Sequence, residues 1–179
     1  MKKLIFAVVL LGLVGYGAWT AWKPKVPPTQ PAGENKPAQN ELVTYTDSQG
    51  VFSFVYPADF RVTGRYKENL ATVKTPKAYL SGTNFSEAVL TIAFSNTPAA
   101  LAACSGRKAT GDAGAGNFYE TTSVKKVFDG DCYTFAYTIH STNIGNYDPS
   151  QGIKEFNKAK IVSEMEGIIA SFQYLVNSD

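Results

Sequence analysis

The sequence predicts a single α+β domain built on antiparallel β-strands and preceded by one N-terminal transmembrane or signal helix. Aromatic residues recur at every second position at 51–56, where Phe52, Phe54 and Tyr56 alternate with Ser53 and Val55, which is typical of a strand. Asp129-Gly130 separates two long strand-like stretches and favours a tight hairpin turn. Near the C-terminus, apolar residues repeat at helical spacing and predict one amphipathic helix. A chain of 179 residues suits one domain with an appendage.

Composition and charge exclude two classes of protein. The chain is not intrinsically disordered, because 44% of its residues are hydrophobic and only 18% are charged. A formal net charge of +2 is too small to drive nucleic-acid binding through counterion release. Residues 1–41 carry five lysines and two glutamates, a charge of +3, which leaves −1 for residues 42–179. We therefore expect no nucleic-acid partner.

Residues 1–22 are interpreted as a signal anchor or a signal peptide. The 19 residues between Lys3 and Lys23 carry no charge, and as a helix they would span about 28 Å, close to the roughly 30 Å hydrocarbon core of a bilayer. Cleavage at the small residues Gly15 and Gly17 would release a secreted protein. An uncleaved anchor is favoured by aromatic and basic residues typical of a membrane interface. These interface residues are Tyr16, Trp19, Trp22, Lys23 and Lys25.

The location of the domain follows from this segment. Two lysines flank each end of the apolar run, and the free N-terminal amine adds one positive charge on the short side. The positive-inside rule then favours a single-pass protein of the cell membrane with its C-terminal domain extracytoplasmic. Secretion after signal cleavage is the alternative. In the anchored form, the N-terminal helix makes the membrane itself a partner.

Residues 23–41 form a proline-rich linker. They contain five of the nine prolines of the chain and no aromatic residue. Such a segment is a semi-rigid spacer that reaches at most about 60 Å. The remaining residues, 42–179, are predicted to form one α+β domain.

The domain begins with a hairpin and ends with a helix. Leu42–Thr46 is expected to pair with the strand 51–56 across a turn at 47–50. A long hairpin joins 118–128 to 131–140 through Asp129-Gly130. The C-terminal helix presents one apolar stripe, and residues 171–176 return as a final strand. The stripe consists of Ile161, Val162, Met165, Ile168 and Ile169.

Three further elements are expected between these two ends. A strand presents Ala88, Leu90, Ile92 and Phe94 on its inward face. Thr97-Pro98 then begins a short helix that runs through Cys104, since threonine suits an N-cap and proline the first helical position. A glycine-rich loop follows at 105–117.

Two segments of the domain resemble a known family. The sequence TYTDSQGVFSFVYPADF at 44–60 resembles the start of PsbP/Mog-like domains, with Phe60 where many members have tryptophan. The sequence MEGIIASF at 165–172 resembles the last helix and strand of that family. The resemblance implies a central antiparallel sheet flanked by helices, an α/β/α sandwich. It also implies a non-catalytic binding role, such as supporting an oxygen-evolving complex or binding a GTPase, without assigning that role to any residue.

The two cysteines, Cys104 and Cys132, are expected to form a disulfide if the domain is exported. Disulfides persist in oxidising compartments, and closing this loop would stabilise the fold by roughly 3.5 kcal/mol in the chain-entropy model. Two buried free thiols are the alternative.

The sequence contains no recognisable catalytic or metal-binding pattern. His140 is the only histidine, and Cys132 on the same strand lies roughly 26 Å away, too far for a nucleophilic pair. One histidine and two distant cysteines give no zinc spacing. Asp129-Gly130-Asp131 lacks the later ligands of a calcium loop. We expect no cofactor and no metal, and the protein is predicted not to be an enzyme.

The sequence is compatible with two functions. The first is a membrane-tethered extracytoplasmic module that binds an envelope or membrane protein without catalysis. Its predicted partner-binding residues are Asn143, Asn146 and Tyr147, in a loop suited to polar contacts, and the loop 105–117 is the second candidate. The alternative is a secreted enzyme that acts through carboxylates on an envelope polymer, although Asp129 with Asp131, and Glu164 with Glu166, offer no evident pair.

Overall fold

The computed structural model of the protein describes residues 41–77 and 79–175, which form two antiparallel sheets and two α-helices. The predicted signal segment 1–22 and nearly all of the linker 23–41 lie outside the described residues. No helix of the described part is long and apolar enough to cross a membrane. The strands are β1 (Leu42–Thr46), β2 (Phe52–Pro57), β3 (Arg61–Thr63), β4 (Asn69–Lys74), β5 (Phe85–Ser95), β6 (Arg107–Gly114), β7 (Asn117–Phe128), β8 (Asp131–Thr142) and β9 (Gln173–Tyr174), and the helices are α1 (Pro98–Ala102) and α2 (Lys158–Ala170).

The strands divide into a small and a large sheet. The small sheet has the order β1-β2-β9, and the large sheet has the order β3-β4-β5-β8-β7-β6. Every strand pair within them is antiparallel. The sequence predicted the antiparallel pairing but a single central sheet, whereas the structure separates β1, β2 and β9 into a sheet of their own.

Both predicted hairpins are confirmed. β1 pairs with β2 from Leu42 opposite Pro57 to Thr46 opposite Ser53. β7 pairs with β8 up to Phe128 opposite Asp131. In the turn between them Asp129 has φ +48° and Gly130 has φ +77°. This left-handed pair is what an Asp-Gly hairpin turn requires.

The core lies between the inner face of the large sheet and a layer made of the small sheet and α2. Phe52 and Phe54 of β2 and Phe135 of β8 are buried. Phe172, which follows α2, packs against both sheets, with its ring centroid 5.3 Å from that of Phe52 and 4.9 Å from that of Phe135. The predicted stripe of α2 is buried except for Val162, which is half-buried.

Several predictions about individual segments are wrong. The glycine-rich segment 105–117 is not a loop: most of it is β6, the edge strand of the large sheet, which Ala115-Gly116 joins to β7. Phe94 lies on the inward face of β5, as predicted, with its ring centroid 6.1 Å from that of the buried Tyr133, but its side chain is 42% exposed. The helix α1 stops at Ala102, and the final strand is only Gln173–Tyr174. The strands β3 and β4 were not predicted from the sequence.

Candidate binding groove

An open groove lies between α2 and the hairpin formed by β6 and β7. Helix α2 packs on the inner side of β8, and β7 and β6 continue the large sheet beyond it. The floor of this central section includes the small residues Ala109 and Gly111 of β6, and Lys158 and Val162 of α2 form its wall. Its volume is about 430 Å³.

The groove continues past the central section in both directions. Arg107 lines both the central section and a second section of about 380 Å³, which also contacts Glu166 and Ile169 of α2. Lys158 lines both the central section and a third section of about 390 Å³. Adjoining sections share these residues, so the three lie in a row along α2, and together they are called the groove.

The second section is crossed by an ion pair between β6 and α2. Arg107 Nη2 lies 2.6 Å from Glu166 Oε1. The Tyr137 hydroxyl of β8 donates to the same Glu166 oxygen at 2.8 Å and accepts from Arg107 Nη2 at 3.1 Å. Arg107 is the first residue of β6, with its side chain on the inner face opposite Val124. The three side chains therefore connect β6, β8 and α2.

This triangle keeps Glu166 ionised. Burial by itself raises the pKa of Glu166, but hydrogen bonds from Arg107 and Tyr137, with the charges of Arg107 and Lys126, outweigh it and lower the pKa below its usual value. Burial is also the main reason that the pKa of Tyr137 is raised. The Tyr137 hydroxyl therefore stays protonated, so it can continue to donate to the carboxylate.

A second ion pair crosses the groove where the central section meets the third. Lys158, the first residue of α2, pairs with Glu120 of β7. Asn157 caps the helix just before it, its Oδ1 accepting from Lys160 N at 3.1 Å. The Lys158 and Glu120 side chains are 53% and 48% exposed, so this pair can open at little energetic cost. Lys125, Lys126 and Glu155 also line the groove, so its lining carries four cationic and three anionic side chains.

The third section offers an apolar end to the groove. Phe118, Ile144 and Phe156 line it, and Phe118 of β7 remains 40% exposed. The buried amide of Asn84 fixes its wall by donating from Nδ2 to Thr142 O at 2.8 Å and accepting from Phe156 N at 2.9 Å. An exposed aromatic ring beside fixed polar groups can anchor an apolar side chain of a ligand.

The predicted partner-binding loop lies at this end of the groove. Asn143 lines the third section, and residues 144–146 form a 3₁₀ turn. Asn143 Oδ1 accepts from Gly145 N at 2.9 Å, and Asn146 Nδ2 donates to Gly116 O at 3.1 Å. Tyr147 follows the turn and is half-buried. The two amides stabilise the loop and the β6–β7 turn, and a partner-binding role for these residues stays a prediction.

The predicted disulfide is present, on the other side of the large sheet. Cys104 and Cys132 are bonded with their Cα atoms 5.6 Å apart, and they are the only cysteines of the chain. Cys132 alternates with the buried Tyr133 on β8 and so points to the outer face of the sheet. The bond holds the segment after α1 against that face, away from the groove.

His140 also lies on the outer face. Its ring stacks on that of Tyr119, with the centroids 4.3 Å apart, and its Nε2 is 2.9 Å from Asn117 Oδ1. It alternates with Ile139, whose side chain lines the groove on the inner face. His140 is thus held by its neighbours on β7 and is not part of the groove.

Two other carboxylates considered in the sequence, those of Asp129 and Glu164, accept hydrogen bonds from tyrosine hydroxyls. Asp129 accepts from the Tyr174 hydroxyl at 2.8 Å. Glu164 Oε1 accepts from the Tyr79 hydroxyl at 2.5 Å, while its Oε2 is buried without a hydrogen-bond partner among the described residues. Within 41–77 and 79–175, no cluster of three or more His, Cys, Asp or Glu side chains is placed to hold a metal ion.

The groove itself was not predicted from the sequence. Arg107 lies in the segment 105–117, which the sequence predicts as a loop and a second binding candidate, and Glu120 and Lys158 belong to no motif. A usable signal was the alternation of Arg107, Ala109, Gly111 and Ala113, which puts small residues on one face of a strand. Glycine within the segment weakens a strand prediction and so obscures this pattern.

Similarity to known proteins is found among solved structures. No family model matches the sequence, and no curated protein matches it. The solution structure of cyanobacterial PsbP from Synechocystis is similar over 83% of this chain and 100% of its own, with 14% identity and a TM-score of 0.36. A crystal structure from Bacteroides thetaiotaomicron is similar over 79% of this chain, with 11% identity and a TM-score of 0.47. This chain spans about half of that protein, 51% of its length.

Proposed function

We propose that the protein is a membrane-tethered, extracytoplasmic and non-catalytic binding module with a PsbP/Mog-like domain. Its ligand is an extended segment of an envelope or membrane protein, which lies in the groove between α2 and the β6–β7 hairpin. The observation that carries the proposal is the row of three groove sections along α2, with an exposed aromatic residue, Phe118, at one end.

The shape and charge of the groove suit an extended peptide. Ala109 and Gly111 leave room for a backbone to approach the floor. The polar groups of Arg107, Glu120 and Lys158 can exchange their mutual contacts for contacts with peptide amides, since all three side chains are about half exposed. Phe118 then supplies the apolar anchor that binding sites of this kind need.

The N-terminal sequence supports the proposed location. A 19-residue uncharged run followed by a proline-rich linker is typical of a domain held at a distance from a membrane. The disulfide between Cys104 and Cys132 suits an oxidising compartment. Both features favour an extracytoplasmic domain.

The groove favours binding over carboxylate catalysis. A glycosidase-type general acid needs a pKa raised toward neutrality. The pKa of Glu166 is instead lowered, and the carboxylate is tied to Arg107. Glu120 is paired with Lys158, and the remaining acidic side chain of the groove, Glu155, lines the third section.

Capture of a partner by the tagged full-length chain tests the proposal. The bait is incubated with detergent-solubilised envelope membranes, and retained proteins are identified by mass spectrometry. The informative variants are Phe118→Ala and Tyr119→Ala, because these neighbours are equally exposed, at 40% each, on opposite faces of β7. We expect Phe118→Ala to weaken capture of a specific protein at least about tenfold, and Tyr119→Ala to leave it unchanged.

Two outcomes would reject this proposal. Equal capture by both variants would place the binding surface elsewhere. Turnover of an envelope glycan by the purified chain, lost in a Glu166→Gln variant, would favour the enzyme instead.

Tryptophan fluorescence tests whether the segment 1–22 is retained as a membrane anchor. Both tryptophans, Trp19 and Trp22, lie in the segment 1–22. An uncleaved anchor therefore predicts tryptophan emission from protein isolated from membranes. Mature protein that lacks this emission would show that the segment had been removed.

A further inference from the structure

The open edge strand of the large sheet, β6, is suited to pairing with the same strand of a second copy of the chain. β6 ends the strand order, and all of its eight residues are exposed. It pairs with β7 without any bulge, from Arg107 opposite Val124 to Gly114 opposite Asn117. It contains no proline. A regular, uncovered edge of this kind is a template for another strand.

The alternation of hydrogen bonds shows which backbone groups face the open edge. Lys125 N donates to Gly106 O at 3.2 Å, just before β6 begins. In an antiparallel ladder such bonded pairs occur at every second residue. Lys108, Thr110, Asp112 and Gly114 therefore bond to β7, while the N–H and C=O groups of the alternate residues point away from it. These alternate residues are Arg107, Ala109, Gly111 and Ala113.

We infer that β6 pairs antiparallel with β6 of a second copy, with Thr110 on the two-fold axis, so that two large sheets join into one. In this register Ala109 lies opposite Gly111 of the partner strand, so the outward backbone groups bond to each other. Lys108 lies opposite Asp112 on the outer face, and the two-fold axis makes this ion pair occur twice. Two six-stranded sheets would form a continuous sheet of twelve strands.

Charge complementarity selects this register. Shifting the pairing by two residues puts Lys108 opposite Thr110 or Gly114 and leaves Asp112 without a lysine. Opposite charges directly across a strand pair are stabilising, and like charges are destabilising. Among the described residues, neither Lys108 nor Asp112 has an ion-pair partner.

Asp112 accepts one hydrogen bond that would break when two copies of β6 pair. Its Oδ1 accepts from Ala113 N at 2.8 Å, which satisfies one donor of the open edge. In the dimer, Ala113 N would donate to the backbone carbonyl of Arg107 in the partner strand. The carboxylate would then turn to the partner's Lys108.

Cysteine crosslinking of the full-length chain tests the register. In an antiparallel ladder, Cα atoms at a non-hydrogen-bonded pair lie about 4.5 Å apart, within disulfide range. Thr110→Cys should therefore form an intermolecular disulfide under mild oxidation, seen as a dimer on a non-reducing gel. Gly114→Cys is the matched control on the same face of β6. A Cβ there would meet no atom within 4 Å, but the two cysteines would lie roughly 26 Å apart.

Charge exchange tests the same pairing without a crosslink. Lys108→Asp should weaken self-association about tenfold, because it puts like charges opposite each other twice. The double variant Lys108→Asp with Asp112→Lys should restore self-association, as measured by sedimentation equilibrium. A monomeric wild-type chain at every concentration would overturn the inference. Equal crosslinking at 110 and 114, or failure of the double variant to recover, would also overturn it.

Discussion

Arg107 and Glu166 are joined at 2.6 Å across the groove, and the Tyr137 hydroxyl contacts both of them. This relationship connects an edge strand to the only long helix of the described residues. Because the pKa of Glu166 is lowered in the folded protein despite its partial burial, we expect the stability of the fold to fall in acid as this carboxylate is protonated.

Glu166→Gln is predicted to reduce the acid sensitivity of the fold. A carboxyl whose pKa is lower in the folded state stabilises the protein above its unfolded pKa, ordinarily about 4.5. That stability is lost as the pH falls through the folded pKa. Urea denaturation between about pH 5 and pH 3 should therefore show a shallower loss of stability in Glu166→Gln than in wild type.

Glu87→Gln is the control for this experiment. Glu87 pairs with Lys74 across β4 and β5, with side chains 39% and 47% exposed. The variant should keep the acid-dependent loss of the wild type. If Glu166→Gln and wild type gave identical profiles, the triangle with Arg107 and Tyr137 would not stabilise the carboxylate.

Arg65→Ala is predicted to destabilise the domain by about 3 kcal/mol. Arg65 donates from Nε to Asp47 Oδ1 at 3.1 Å and from Nη2 to Asp47 Oδ2 at 3.0 Å. The Asp47 side chain is 0% exposed, so removal of the guanidinium leaves a buried charge without its counterion. Chemical denaturation at neutral pH measures the loss.

Lys74→Ala provides the comparison for Arg65→Ala. It removes a lysine from an exposed ion pair, so its effect should stay within about 1 kcal/mol. Equal effects of the two variants on the free energy of unfolding would mean that water solvates the Asp47 carboxylate once Arg65 is removed.

The parts of the fold that the sequence predicted depend on local chemistry. The alternation at 51–56 and the turn residues Asp129 and Gly130 act within one hairpin each, so they can be read along the chain. Thr97 likewise accepts from Ala100 N at 3.2 Å, as expected of an N-cap.

The parts that were missed depend on contacts between distant segments. β6 has weak strand propensity, with Gly111 and Gly114 in eight residues, and forms because it pairs with β7 along its whole length. The groove exists because β6 extends the sheet past α2 and brings Arg107 to Glu166. No local pattern encodes that distance, although both segments predicted as binding candidates, the loop at Asn143 and the segment 105–117, contribute residues to the lining of the groove.

Asn84→Ala is predicted to destabilise the domain by about 2–3 kcal/mol. Asn84 is 7% exposed and bonds through its amide to Thr142 O and Phe156 N. Alanine would leave the partly buried Thr142 carbonyl and Phe156 amide N–H without this partner. Asn143→Ala is the control, because its Oδ1 accepts from Gly145 N in an exposed turn. An effect of Asn84→Ala no larger than that of the control would contradict this account.

The disulfide is predicted to contribute about 3.5 kcal/mol, because it closes a loop across a separation of 28 residues. Thiol titration of the denatured, unreduced protein should find no free thiol. Reduction should lower the urea midpoint. The m-value should change little, except for the increase expected because the reduced denatured chain is less compact and exposes more surface. Two titratable thiols in the unreduced protein would contradict the structure.

Hydroxyl-radical footprinting of Phe118 and Tyr119 tests the central claim, that the groove beside α2 is the binding surface. The two adjacent rings are equally exposed on opposite faces of β7, so each is an internal control for the other. With a captured partner present, the account predicts that oxidation of Phe118 falls sharply and that oxidation of Tyr119 stays at its level in the free chain. Protection of Tyr119 with no change at Phe118 would contradict the account, since the partner would then bind the outer face of the sheet.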